Sequence, residues 1–253
     1  MTSNPVISKN FEWNDVEFTD VGKVRKVNED SMMSRSDQAH RVVADGMGGH
    51  EAGDVASQSI CTGLAGLTRQ REFPHFVDDI EDKIIEVNGY LRRLAGDDDD
   101  KVIGSTVVGL ALQGNHAVYY WVGDSRVYRL RGGTLTQLSI DHTYLQELVD
   151  EGKLDPADVA DHNDKNVITR AVGADDDVFV DFEMEQFIDK DIYFLCSDGV
   201  EKEMTDEEVE GVLNRHGSDI ESAGKEIIDQ VLDRGSPDNV TVILVQIKSK
   251  GAD

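Results

Sequence analysis

The sequence predicts an α+β protein in which antiparallel sheets are flanked by pairs of helices. Three observations point there. Apolar runs of strand length come in neighbouring groups, split by short Gly-containing turns. Helical periodicity comes in adjacent pairs, once after residue 49 and again after residue 204. The regular strand–helix alternation that a doubly wound parallel sheet requires is missing.

Residues 11–24 alternate loosely and read as a strand ending at Gly22. Residues 31–35 and 41–44 read as a hairpin around Ser36-Asp37-Gln38, whose second arm is expected to stop at Asp45. A buried strand that ends in Asp45-Gly46-Met47-Gly48-Gly49 holds a carboxylate rigidly, followed by backbone too permissive to continue as strand. Ala52, Val55, Ala56, Ile60, Leu64 and Leu67 then share one helical face, as do Val77, Ile80, Ile84, Val87, Leu91 and Leu94. After the acidic loop 97–100, strands 105–112, 117–122, 126–130 and 135–138 form a meander through Gly-Asn, Gly-Asp and Gly-Gly turns. Residues 143–151 suggest a short helix, and Asp155-Pro156 starts another, Asp as cap and Pro at the first helical position. Strands are expected at 178–184 and 192–196, the second ending in Ser197-Asp198-Gly199. Thr205 with Glu208, and Ser218 with Glu221, have capping-box spacing for two more helices. A closing strand at 240–247 is entered through Ser236-Pro237-Asp238-Asn239.

Composition narrows the function classes. The 253 residues carry 51 acids against 25 Lys and Arg, a net charge of -26. Such a surface repels nucleic acid and anionic membrane, so neither is an expected partner. With four prolines, no repeat and no linker-like stretch, one domain over residues 1–253 is expected, its core about 11–248. No signal peptide or membrane span is read, and Cys61 and Cys196 sit in apolar settings as core thiols. A cytoplasmic monomer is expected.

Acids stand at or beside strand ends in five places: Glu29-Asp30, Asp45, Asp124, Asp198 and Asp238. Each alone has a plain reading as a turn or cap, and Gly123-Asp124 reads well as a simple turn. Their repetition is the signal. Carboxylates gathered in one cleft repel each other unless cations lie between them. An all-oxygen set selects Mg2+ or Mn2+ over zinc.

In order, Arg25-x-x-Asn28-Glu29-Asp30, Asp45-Gly46-Met47-Gly48-Gly49, Gly104-Ser105-Thr106, Gly123-Asp124-Ser125-Arg126, Ser197-Asp198-Gly199 and Asp238-Asn239 resemble the motifs of metal-dependent protein phosphatases of type 2C, the PPM family. The resemblance spans roughly residues 18–245 and is nearest to bacterial members. It implies a four-layer αββα sandwich: two antiparallel β-sheets flanked by helix pairs on both sides. It implies a Ser/Thr protein phosphatase whose partners are phosphorylated proteins and, through the reaction, a cognate Ser/Thr kinase. Two Mn2+ or Mg2+ ions about 3.5–4 Å apart would share a hydroxide that attacks phosphorus in line. By the same resemblance Asp45 bridges the ions, the Gly46 carbonyl holds one, and Asp198 and Asp238 hold the other. Glu29 and Asp30 would order metal-bound waters, and Asp124 would join Asp198 at a weaker third ion. Arg25 is the candidate phosphate clamp, its planar fork matching two oxygens; the plain alternative is a surface arginine in a basic run with Lys23 and Lys26. Residues 139–172 correspond to a flap where substrate choice is expected to reside.

The chain departs from the family pattern twice. Met47 stands where many eukaryotic members carry a histidine proposed to protonate the leaving alkoxide, and His50 is a nearby alternative whose plainer reading is a helix-entry residue. Lys202 stands where relatives often carry an acid four residues after the Ser-Asp-Gly aspartate, which should weaken the third-ion site. His142 reads as a turn residue. The competing readings are a catalytically weak or inactive phosphoprotein-binding sensor of the same fold, a calcium-binding acidic protein, which lacks an EF-hand loop, and a two-metal nuclease, which the charge disfavours.

Overall fold

A computed structural model describes residues 8–48, 52–69, 72–96, 102–159, 162, 164 and 167–251. Gly49, His50, the 97–100 loop and Asn166 lie outside the described residues. One antiparallel sheet runs β1 (Phe11–Asp20), β11 (Val240–Ser249), β10 (Ile192–Cys196), β7 (Arg126–Arg131), β8 (Thr134–Gln137). The other runs β2 (Asp30–Arg35), β3 (His40–Gly48), β5 (Val107–Gln113), β6 (His116–Val122), β9 (Asp181–Gln186), with short β4 (Ile103–Ser105) beside the far end of β3. Helices α1 (Ala52–Ala65) and α2 (Phe73–Ala95) cover the second sheet. Helices α4 (Asp198–Glu201), α5 (Asp206–His216) and α6 (Ile220–Asp233) cover the first, and α3 (Tyr144–Asp150) follows β8.

Strand alternation builds three apolar layers. On β3, Val42 and Ala44 face the helices with Ile60, Leu64, Ile80 and Leu91, whereas Val43 faces the other sheet. On β11, Val242 and Leu244 face α5 and α6, and Ile243 and Val245 meet Val43, Val108 and Leu195 between the sheets. This is the expected αββα sandwich. Its interior also encloses an ion pair. Arg41, fully buried between the sheets, pairs with Asp15 of β1 at 2.5 Å.

Local boundaries differ from the sequence reading for identifiable reasons. The first strand stops at Asp20 because Gly22 turns at φ 77°, its Cα packed on the Asp238 carbonyl. The third does not stop at Asp45 but continues to Gly48 by exchanging partners, β5 for β4. Val55 and Leu94, placed on apolar faces, are exposed. Asp155 does cap, but only a single turn of 3-10 helix at Pro156–Asp158. The Thr205 capping box is present, whereas α6 is capped by Asp219 accepting from the Ser222 N–H rather than by Ser218. The strand expected at 178–184 lies at Asp181–Gln186, while Cys61 and Cys196 are buried free thiols as expected.

Candidate metal centre

Asp45 lies where β3 changes partners. It stands opposite Asp30 of β2; Val43 before it pairs with Val108, and Gly46 after it pairs with Ser105. Thr106 fills the gap between β4 and β5. Its N–H donates to the Asp45 carbonyl at 2.9 Å, and its Oγ1 accepts the Asp45 N–H at 3.1 Å. The backbone of Asp45 is thereby fixed on both sides.

Two glycines set the distances between segments. A Cβ on Gly46 would stand 2.0 Å from the Gly53 carbonyl oxygen, so only glycine lets α1 start directly against β3. A Cβ on Gly53 would in turn lie 2.6 Å from Glu29 Oε1 and 2.8 Å from the Gly46 carbonyl oxygen, which places both oxygens around one small space. Close packing that leaves no room for a Cβ explains Gly46. A Cβ on Gly199 would stand 1.9 Å from the Asn239 carbonyl, and this approach sets Asp198, at the start of α4, beside Asp238. Asn239 ties in the loop from β1: its Oδ1 accepts the Glu29 N–H at 2.8 Å, and its Nδ2 donates to the Val21 and Val27 carbonyls.

The result is a cleft of about 200 Å3 lined by Arg25, Glu29, Asp45, Gly46, Asp198 and Asp238. Asp30 and Asp124 do not line it but are buried close by. Asp30 Oδ2 accepts from Ser197 Oγ at 2.7 Å, and burial with the Asp198 and Asp238 charges pushes its pKa up to about 6. Burial, then Asp198 and Asp141, pushes Asp124 up to about 7. Burial, then Asp30, Asp198, Asp124 and Asp238, holds Asp45 well above the usual carboxylate range. Asp238 goes the other way, since Lys202 and Arg25 outweigh its burial. Lys202 Nζ lies 2.5 Å from Asp198 Oδ2 and 2.8 Å from Asp238 Oδ2, and Arg25 Nη2 lies 2.9 Å from Asp238 Oδ1.

Among the described residues, no three acidic, imidazole or thiol groups form a ready-made cage. The carboxylates instead surround the cleft, two of them drawn toward cationic side chains. Asp30 Oδ1, Asp124 Oδ1 and Asp198 Oδ1 are nevertheless buried with no hydrogen-bond partner. Such orphaned oxygens call for a cation or a proton. With hard oxygen donors throughout, the residues fit Mg2+ or Mn2+.

Residues 23–238 match the family described as "Protein phosphatase 2C". The chain belongs to the protein phosphatase 2C family. It is 35% identical to the serine/threonine phosphatase stp of Listeria welshimeri, over 93% of this chain and 97% of that one. Among solved structures, PppA of Pseudomonas aeruginosa, described as a key regulatory component of the T6SS, superposes with a TM-score of 0.86 at 37% identity, covering 96% and 100% of the two chains. The PstP catalytic domain in complex with two manganese ions superposes at 0.83 and 31% identity, covering 94% and 99%.

Within this protein phosphatase 2C frame, sequence reasoning found the cleft carboxylates but missed what positions them. Thr106 and Asn239 lie inside motifs, but the contacts that they make are visible only in the fold. Ser197 Oγ links Asp30 to the Thr241 N–H. Arg126 holds Asp141 by its Nε and Nη2 and pairs with Glu201 through Nη1, clamping the start of 139–172 to α4. His142 is more than a turn residue. Its Nδ1 accepts the Gly123 N–H at 3.0 Å, and its Nε2 lies 2.7 Å from Asp181 Oδ2. The only sequence signal for these partners was their place inside or next to the acidic motifs.

Proposed function

We infer that this chain is a metal-dependent protein Ser/Thr phosphatase acting on phosphorylated proteins. The observation that carries it is the meeting of Asp45, Asp198 and Asp238, from three distant segments, around one cleft beside orphaned carboxylate oxygens. In this reading Asp45 and the Gly46 carbonyl would hold one Mn2+ or Mg2+, and Asp198 and Asp238 with Asp45 would hold a second. Glu29 and Asp30 order water, and Asp124 with Asp198 is left for a weaker third ion. Bound there, such ions would supply a water acidified toward neutral pH and charge compensation at phosphorus. Support for two ions comes from the manganese-bound PstP domain.

The residues of this chain do the rest. Arg25, half-exposed at the rim, offers a planar fork to two phosphate oxygens once it releases Asp238. Ile168 reaches the cleft from 139–172, which fits a substrate-selecting flap. The charge of -26 disfavours nucleic acid, and no described helix is long and apolar enough to cross a membrane. A single domain, a monomer, a cytoplasmic setting and an opposing Ser/Thr kinase complete the proposal.

The deciding experiment is manganese-dependent hydrolysis of a phosphothreonine peptide and of p-nitrophenyl phosphate, with Asp45→Asn as control. Turnover that needs Mn2+ and disappears in the variant supports the enzyme. Folded protein that binds phosphopeptide without turnover supports the sensor reading instead.

A further inference from the structure

The two halves of the cleft differ in one respect. Among the described residues Asp45 has no ion pair, and on its side of the cleft the nearest pairing is the long one of Arg25 with Glu29 at 3.9 Å. Around Asp198 and Asp238 the protein supplies its own cation. Lys202 sits one helical turn after Asp198, and its Nζ donates to Asp198 Oδ2 and Asp238 Oδ2 together. The side chain is only 20% exposed, so solvent does little to screen this contact.

A lysine ammonium carries three N–H donors and no acceptor, so it can satisfy two carboxylates at once. Both oxygens it takes belong to the residues assigned above to the second ion. A divalent ion reaching the same two carboxylates cannot share the space with an ammonium at 2.5–2.8 Å from each. Asp238 is also held on its other oxygen by Arg25.

We propose that Lys202 is a resident counter-cation of the second-ion site. It holds Asp198 and Asp238 together in the metal-free protein, and it must swing away before a second ion binds. This rests on the two-ion reading above and adds to it an order of loading. The Asp45/Gly46 half fills first, with no ammonium to displace; the Asp198/Asp238 half fills second, against Lys202. The competition falls on the second ion as well as on the third-ion site expected from the sequence, because Asp198 belongs to both.

The test is Mn2+ binding to the metal-free full chain, followed by electron paramagnetic resonance of free Mn2+ and by calorimetry, without substrate. The wild-type protein is expected to show one tight and one weaker ion. Lys202→Met should tighten the weaker ion on the order of tenfold, the scale of a typical coupling free energy between linked events. Lys202→Arg, which keeps the charge, should stay weak. Metal-free Lys202→Met should also melt below wild type and gain more from added Mn2+. If metal-free Lys202→Met does not fold, the comparison is made from loaded protein with graded chelators, and the second ion should leave the variant later than wild type. Equal second-ion affinity in wild type and Lys202→Met overturns the role of Lys202 alone. A single ion in both proteins overturns the two-ion reading as well.

Discussion

Replacing Asp30 by Asn should stabilise the metal-free protein at alkaline pH, although it removes a buried charge with a 2.7 Å hydrogen bond. Burial and the neighbouring acids raise the Asp30 pKa from 3.8 to about 6. The fold therefore holds this proton more tightly than the unfolded chain does. Stability from that preference is complete below pH 3.8, and it is lost as pH rises through about 6. A carboxyl raised from 3.8 to about 6 corresponds to ~3 kcal/mol. Asn keeps an acceptor for Ser197 Oγ–H at a cost of about 1 kcal/mol for the weaker, uncharged bond. The expected balance is a variant more stable than wild type by ~2 kcal/mol at pH 8 in chelator. Near pH 4 the order should reverse. Urea unfolding followed by circular dichroism across this range measures it. Buried histidines such as His40 titrate alike in both proteins and cancel in the difference. Saturating Mn2+ should remove the advantage, since an ion compensates the acidic site that Asp30 belongs to. A difference between the two proteins that does not change with pH, or wild type remaining the more stable at pH 8 without metal, would refute the argument.

Three further outcomes follow from particular contacts. Arg41→Met leaves Asp15 charged and unpaired between the sheets and should cost about 3–5 kcal/mol in urea unfolding, with the double change to Asp15→Leu recovering most of it. Asn239→Ala removes three hydrogen bonds that fix the loop carrying Arg25 and Glu29, and should lower stability by about 1–3 kcal/mol while raising the Mn2+ concentration for half-activity. Arg25→Lys keeps the charge but not the fork, and should raise KM for a phosphopeptide about tenfold with Mn2+ affinity unchanged by calorimetry.

The sheets and their helical covers were legible because they rest on short-range periodicity. Val42-Val43-Ala44 and residues 240–247 announce strands, and Ile80, Ile84, Val87 and Leu91 announce a helix face. The acids were legible because Asp at the end of an apolar run is unusual when it recurs. Three things were hidden. The exchange of partners along β3 depends on Thr106, 61 positions away, taking the place of a strand neighbour. The reason for Gly46 is the carbonyl of Gly53, a contact between elements that no local propensity encodes. The pairing of Arg41 with Asp15 joins strands of different sheets, and no local pattern links the two.

Lys202 carries more in space than its place in the motif conveys. Its position in the sequence marked a missing acid, and so pointed to the site that the acid would have built. Its position in space marks a present cation, which acts on the carboxylates it touches. The cleft has the same problem at every carboxylate, namely which positive charge balances it, and the chain solves it differently from place to place. Asp198 and Asp238 are balanced by Lys202 and Arg25. Asp30, Asp45 and Asp124, with no such partner, hold protons more tightly than ordinary carboxylates do. An incoming ion therefore displaces an ammonium on one side and protons on the other. Metal affinity here is thus an exchange whose balance depends on pH and on one lysine, as well as on the number of oxygens offered.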